Sequence, residues 1–475
     1  MAGMLPKFGR GTMHWTQIYH LRYSLRSSLW TIPIIAIPFA MFATRLAHWL
    51  DAHIQWSFLG FGVKGAEALL QATATATLSF LVFTFGSLLV ALQVASGQLT
   101  PRIIATTLLR NNVVRYTVGL FIFTFLFTLG VQNRLESKVY QLPLIIAAVL
   151  SLLCFAAFLY LIDYAARLLR PISILTQVGN VGLKVIESVY PQPSLGPGEP
   201  PSQRQKLGPP DRVIHHRGTS GIILVANIET LRTAAEKAVG VIELVPQVGD
   251  FVALDEPLFN LYGGARAVDD EALRAAIAFG SERTMEQDPT FAFRIVVDIA
   301  LKALSPAIND PTTAVLAIDQ LHRMLRSVGR RNLRTDEILD ASGGLRVIFR
   351  TPNWDDFVHL SFSEIWACGA NNLQIVRRLR AMIENLKETL PNHRQDELEH
   401  QVSLLDREAK RLFRYPEELA LAMVADSQGL GGIRARLPSQ VKAFSPKSDL
   451  MCHFRTCAIL SRVARLRGAY ARTMR

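Results

Sequence analysis

Residues 66–102 read AEALLQATATATLSFLVFTFGSLLVALQVASGQLTPR, with no charge between Glu67 and Arg102. A helix needs about 20 residues, at about 1.5 Å each, to cross roughly 30 Å of hydrocarbon. The apolar core from Ala68 to Ala95 exceeds that, so the stretch predicts a transmembrane helix. Three more charge-free windows accompany it. One is Ser27–Thr44, between Arg26 and Arg45. The others separate Arg115 from Arg134 and Lys138 from Asp163. The fold class expected is therefore a membrane α-helical protein, with four transmembrane helices over residues 28–170.

Composition agrees. The 475 residues are 50% hydrophobic and 19% charged, whereas a soluble chain carries about 25% charge. The net charge of +12 suits an anionic membrane surface, so no nucleic-acid partner is expected. Cys154, Cys368, Cys452 and Cys457 are too few and scattered for a disulfide framework, and read as reduced thiols. Cys452 and Cys457 lack a second pair, so no metal site is expected.

Orientation follows the basic residues. Lys7, Arg10, Arg22 and Arg26 precede the first span, in a segment (residues 1–27) without an acid. Arg102, Arg110 and Arg115 lie between the second and third spans, and Arg167 and Arg170 follow the fourth. The other two loops are short and mixed: Asp51, Lys64 and Glu67 in one, Arg134, Glu136 and Lys138 in the other. The positive-inside rule then places both termini in the cytoplasm. The first span is too long and starts too late for a cleaved signal peptide.

The second span is polar on two faces. At 100° per residue, Gln71, Thr75, Ser79, Gly86 and Gln93 share one, and Thr73, Thr77, Thr84 and Ser87 share the opposite one. Two readings stand. Small and hydroxylated residues serve helix packing, or Gln71, Thr75, Ser79 and Gln93 line a water-filled path in a homo-oligomer. No span core carries an acid, which disfavours a proton relay or cation-coupled carrier. Arg45, with His48 near it, reads as an interfacial charge.

Beyond the spans an α+β region is expected: a small β-rich module followed by helices. Residues 171–190 read as an amphipathic juxtamembrane helix. Residues 191–211 contain seven prolines and read as a linker. Residues 212–263 form the β-rich module: strands Gly221–Val225 and Val239–Val245, a helix capped by Asn227, a Gln247–Asp250 turn, then Phe251–Leu254 and Leu258–Tyr262. Its Gly-Asp turn resembles that of lipoyl-like carrier modules, without a Lys to carry a prosthetic group. His215 and His216 point to opposite sides of a strand and do not suggest a shared metal. Residues 264–350 read as a helical module, and 351–475 as a C-terminal helical region with a basic tail. That tail and the basic N-terminal segment are expected to meet anionic lipid headgroups.

Within the helical module Arg294, Asp298 and Lys302 follow at intervals of four, along one helix side. Ser305-Pro306 breaks that helix, and Asp310-Pro311 opens the next as cap and first-turn proline. Ser305, Asn309 and Asp310 are residue types that hold a cation or phosphate, and equally the types that Pro-bounded turns select. Arg294, Asp298, Ser305, Asn309 and Asp310 are the candidate residues of this motif.

The run Ala303–Ala314 (ALSPAINDPTTA) resembles a family of bacterial predicted membrane proteins, domain of unknown function 2254. So do Arg283-Thr284 with Gln287-Asp288, and Val90–Gln93 with Gln98–Arg102. The resemblance covers most of the chain. It implies a bacterial inner membrane location and the same order of parts, and supplies no activity and no catalytic residue.

No Walker loop, HExxH, GxSxG elbow or dinucleotide fingerprint occurs, and Gly429–Gly432 has no strand before it. Neither enzyme nor cofactor is expected. The functions in play are an oligomeric channel gated by its cytoplasmic part and a membrane-anchored regulatory or scaffolding protein binding a partner or ligand. A membrane enzyme would rest on the Arg283–Thr313 cluster alone.

Overall fold

A computed structural model describes residues 30–54, 60–98, 112–135, 139–168, 170–194, 207–333 and 336–432, with isolated positions elsewhere. Outside the described residues fall Lys7, Arg10, Arg22, Arg26, Arg102, Arg110, Glu136 and Lys138, much of the proline-rich linker and the basic tail with Cys452 and Cys457.

Four helices are long and apolar enough to cross a membrane: α1 (Thr31–Ile54), α2 (Val63–Gln98), α3 (Asn112–Gln132) and α4 (Gln141–Leu168). Small residues set how closely they pack. A Cβ on Gly119 of α3 would stand 2.6 Å from Ile32 Cγ2, and one on Gly130 would stand 3.0 Å from Thr44. Between helices in lipid, which lack a hydrophobic drive to associate, such close approach would supply the attraction. Helix α2 has 36 residues, about 54 Å of helix, more than the hydrocarbon needs. Its Leu92 packs on the core of the following region.

Only residues 169 and 170 separate α4 from α5 (Pro171–Val189). The amphipathic face of α5 is buried: Ile174, Leu175, Val178, Val185 and Ile186 belong to a large helical core. A mixed region of helices and strands follows. In order come β1 (Arg212–His215), β2 (Gly221–Ala226), α6 (Ile228–Ala238), β3 (Gly240–Leu244), β4 (Phe251–Val252) and β5 (Pro257–Gly263). Then come α7 (Asp270–Arg274), β6 (Ile277–Gly280), α8 (Pro289–Leu304), α9 (Pro311–Val328), β7 (Glu337–Leu339) and β8 (Leu345–Phe349). The last are α10 (Trp354–Gly369), α11 (Leu373–Thr389), α12 (Gln395–Leu412) and α13 (Pro416–Ala422). Side-chain caps open six of these helices: Asn227, Asp269, Asp288, Asp310, Asn353 and Asn372 each accept from a backbone N–H of the first turn.

The strands make a five-stranded sheet, β1-β5-β3-β8-β7, and a three-stranded one, β4-β2-β6. All neighbours are antiparallel except β3 and β8, whose register pairs Ile242 with Val347. The expectation of a β-rich module confined to 212–263 therefore needs widening. Strands β6, β7 and β8 return to it from residues 277–349, between the helices. They are three to five residues long, too short to show the alternation by which a strand is read.

Helix α5 approaches α8 and α9 closely because it presents glycine. A Cβ on Gly182 would stand 2.7 Å from Met324 Sδ and 2.9 Å from Ala292 Cβ, and one on Gly179 would stand 2.5 Å from Gln320 Oε1. Gly182→Val should lower the stability of the helical core by about 1–3 kcal/mol, measured by urea denaturation of the purified protein. Unchanged stability would show that α5 is not seated as described.

Candidate functional site: a cleft between sheet and helices

A cavity of about 550 Å³ opens where the five-stranded sheet meets the helical core. The helical side contributes Ser188, Val189, Pro191 and the segment Glu286–Pro289. The strand-containing side contributes Ile228, Gln247, Val248, Ile338 and the run Phe349–Pro352. Most walls are apolar, with a few polar groups among them, the usual make-up of a small-molecule site.

Asp288 is the buried carboxyl of this cleft, 2% exposed. It caps α8: Oδ1 accepts from Phe291 N at 3.1 Å and from the Thr290 hydroxyl. Pro289 at the first helical position loses no hydrogen bond, because its missing N–H had no partner in the helix. Oδ2 makes no hydrogen bond. Its nearest cation is Arg283, whose Nε lies 3.9 Å away and instead donates to the Gly249 carbonyl at 2.7 Å. Gly249 has φ of +95°, and a Cβ there would collide with Oδ2, so the turn of residues 247–250 needs glycine. Burial holds the Asp288 carboxyl above the usual carboxylate range; its hydrogen bonds and Arg283 offset this only partly.

Neighbouring groups fix the two halves together. The Gln287 amide bonds the Ala226 backbone in both directions, accepting from N at 3.0 Å and donating to O at 3.3 Å. The Tyr190 hydroxyl, just beyond α5, donates to Pro352 O at 3.2 Å. Burial, then the charges of Asp288 and Asp356, push that phenol well above its ordinary pKa. Glu286 and Arg350 add an acid and a base to the lining, both exposed.

Gln287 and Asp288, which carry part of the family resemblance, line this cleft, whereas the five candidate residues of the motif lie elsewhere. Arg294 pairs with Asp298 at 2.7 Å and grips Glu364 of α10 with two nitrogens. At the far end of α8, Ser305 Oγ donates to Lys302 O at 2.7 Å, and Asn309 N donates to Ser305 O at 2.8 Å. Asn309 takes the left-handed conformation, φ +48°. Asp310 caps α9 through Thr313 N at 3.1 Å. Ser305, Asn309 and Asp310 thus form one turn, and Arg294 and Asp298 a separate ionic contact. The 16 residues of α8 put that turn about 24 Å from the cleft. On α2, Gln71, Thr75, Ser79 and Gln93 are exposed, while Thr73, Thr77 and Thr84 are buried in the bundle. Asp288 opens a helix as an Asp-Pro pair, a sequence signal it shares with Asp310. Among the described residues no group of three or more His, Cys, Asp or Glu is placed to hold a metal.

A family described as predicted membrane protein, DUF2254, matches residues 26–385. Uncharacterized proteins of Mycobacterium bovis and Mycobacterium tuberculosis are each 25% identical over 379 residues, 76% of this chain and 71% of theirs. No solved structure matches.

A carboxyl held above its unfolded-state pKa binds its proton more tightly in the fold. It therefore favours folding at pH values below the unfolded value, about 3.9, and that advantage is lost as pH rises through the folded one. Asp288→Asn keeps the cap and abolishes the ionisation. The variant should match the parent in acid and exceed it at neutral pH, in denaturation followed against pH. Asp288→Ala should cost about 0.5–2 kcal/mol through the lost cap. A parent that grows more stable, relative to Asp288→Asn, as pH rises would contradict this assignment.

Proposed function

We propose, for a chain that belongs to the DUF2254 family of predicted membrane proteins, that it is a membrane-anchored receptor for a small ligand. Its ligand occupies the cleft beside Asp288. The observation that carries this is a mostly apolar cavity of about 550 Å³ between the sheet and the helical core, with the buried Asp288 among its lining residues.

The cleft also has a connection to the membrane. Ser188 and Val189, at the end of α5, line it, and α5 begins almost directly after α4. A ligand drawing the strands toward α5 shifts the helix that leads into the bundle. The distribution of basic residues supports a cytoplasmic position for this region, with the four helices in a bacterial inner membrane. Val248→Trp, which fills the cleft from the 247–250 turn, should abolish the thermal stabilisation that a metabolite library gives the parent. It should also change hydrogen exchange at the end of α5. A library without stabilising members, together with an exchange pattern identical in Val248→Trp, would overturn the receptor reading.

One observation favours a second reading, an oligomeric pore. Gln71, Thr75, Ser79 and Gln93 all face away from the bundle of their own protomer, so only another copy is left to enclose them. With the native cysteines replaced, Thr75→Cys should then form disulfide-linked dimers under mild oxidation in membranes. Gln71→Leu and Gln93→Leu should alter conductance in planar bilayers. Neither dimers nor conductance from assembled protein would remove the pore.

A further inference from the structure

Helix α5 locates the Ser305–Asp310 turn relative to the bundle. It runs beside α9 in the same direction: Gly179 abuts Gln320, Gly182 abuts Met324, and Asn180 accepts from Arg323. Pro311 lies nine positions before Gln320, and Pro171 eight before Gly179. Those are about 14 Å and 12 Å of helix, so α9 and α5 start level. Helix α8 runs the other way, since its first residue shares the cleft with the last residues of α5. Gly182 abuts Ala292; from that contact Leu304 is 12 positions on and Pro171 is 11 back, about 18 Å and 17 Å. The end of α8, the start of α9 and the turn between them therefore stand beside the start of α5, next to the end of α4.

The surface at this end of the helical core differs from that at the other. Gly369 abuts Leu304, which brings the α10–α11 turn alongside. Gly429 abuts Val315, which brings the 427–432 loop within about one helical turn of the same end. Exposed here are Lys302, Pro306, Ala307, Asn309, Asn371 and Leu430. Leu430 is 83% exposed, more than any other large apolar side chain among the described residues. These segments expose no acid. Asp310 spends both oxygens on Thr313, and the buried Asp426 accepts from the backbone of Gln428, Gly429 and Gly431. Exposed acids stand at the opposite end, about the cleft: Glu187, Glu286 and Asp355.

We infer that this acid-free end is a lipid-contacting surface, seated on the anionic headgroup layer of the membrane that α1–α4 cross. Lys302 meets lipid phosphates there, and Leu430 is an apolar anchor. Position supports this, because α4 is long and apolar enough to cross and its end carries the exposed Arg167 and Arg170, the basic flank of a cytoplasmic interface. Charge supports it, because each basic residue near an anionic surface gains about 1 kcal/mol. The turn itself is suited to a less polar medium. Ser305, Ile308, Asn309 and Asp310 donate their N–H groups to carbonyls of residues 302–305, and Pro306 and Pro311 have none to satisfy. The run Ala303–Ala314 thereby acquires a role separate from the cleft, which lies at the other end of α5, and independent of any ligand there.

The test uses the full chain in nanodiscs, with the native cysteines replaced and a bimane label on Ala307→Cys or, at the opposite end, on Asp355→Cys. The discs contain anionic phospholipid and a lipid bearing a nitroxide on its headgroup. That lipid should quench most of the fluorescence at Ala307 and none at Asp355. Lys302→Glu combined with Leu430→Asp, in protein with an unchanged melting transition, should relieve most of the quenching at Ala307. A label at Ala307 as bright as that at Asp355 would overturn the proposal; if aqueous iodide then also fails to reach it, another protein surface covers this end instead. Quenching that the double substitution leaves unchanged would show proximity without contact, and would overturn it equally.

Discussion

The seat of α5 against α8 and α9 is the constraint on which the rest of the structure depends. This one helix continues the fourth apolar helix at its start and ends at the cleft. Its position follows from two glycines, Gly179 and Gly182, where any side chain would meet Gln320, Met324 or Ala292. Interiors are close-packed, so a shift of α5 is not absorbed by slack in the core but passed to its partners. The long α2 makes a second contact through Leu92. Among the described residues, the apolar bundle and the mixed region thus meet at α5 and at Leu92 of α2.

Asp288 and Asp310 show how far local sequence determines chemistry. Each opens a helix as Asp-Pro-Thr, and each accepts from a first-turn N–H at 3.1 Å. The difference lies in what packs around them. Asp310 spends its second oxygen on the Thr313 hydroxyl at 2.5 Å. Asp288 turns its second oxygen toward the Gly249 turn of another element, where nothing donates to it. Cap propensity is a property of the segment, whereas an unsatisfied buried oxygen is a property of the assembled fold.

This difference governs what was legible in advance. The four long apolar helices were readable because composition and length suffice. So were α6, with Asn227 as its cap, and α9, with Asp310. The cleft was not readable, since its lining comes from residues 188–352 and from both kinds of element. Nor were the arginines of α11, which look like a solvated helix face. Arg377 is 2% exposed and donates to the carbonyls of Val424, Gly431 and Gly432. Arg378 reaches Asp319 at 2.6 Å, and Arg380 reaches Asp406 at 2.5 Å. Their partners lie 26 to 59 positions away, beyond any pattern of helical spacing.

The two faces of α2 close the argument about the bundle. Thr73 and Thr77 turn inward, with the Thr77 hydroxyl donating to the Thr73 carbonyl at 2.7 Å, and Thr84 is buried alongside. This is the packing use of small hydroxylated residues. On the outer face Ser79 donates to Thr75 O at 2.8 Å, so a hydroxyl there can satisfy itself. The two glutamines are about 33 Å apart along the helix, roughly the hydrocarbon thickness, so a membrane-crossing α2 would bring both to polar surroundings. The outer face of α2 is therefore tolerable in lipid without a partner, whereas the second oxygen of Asp288 has no such local remedy.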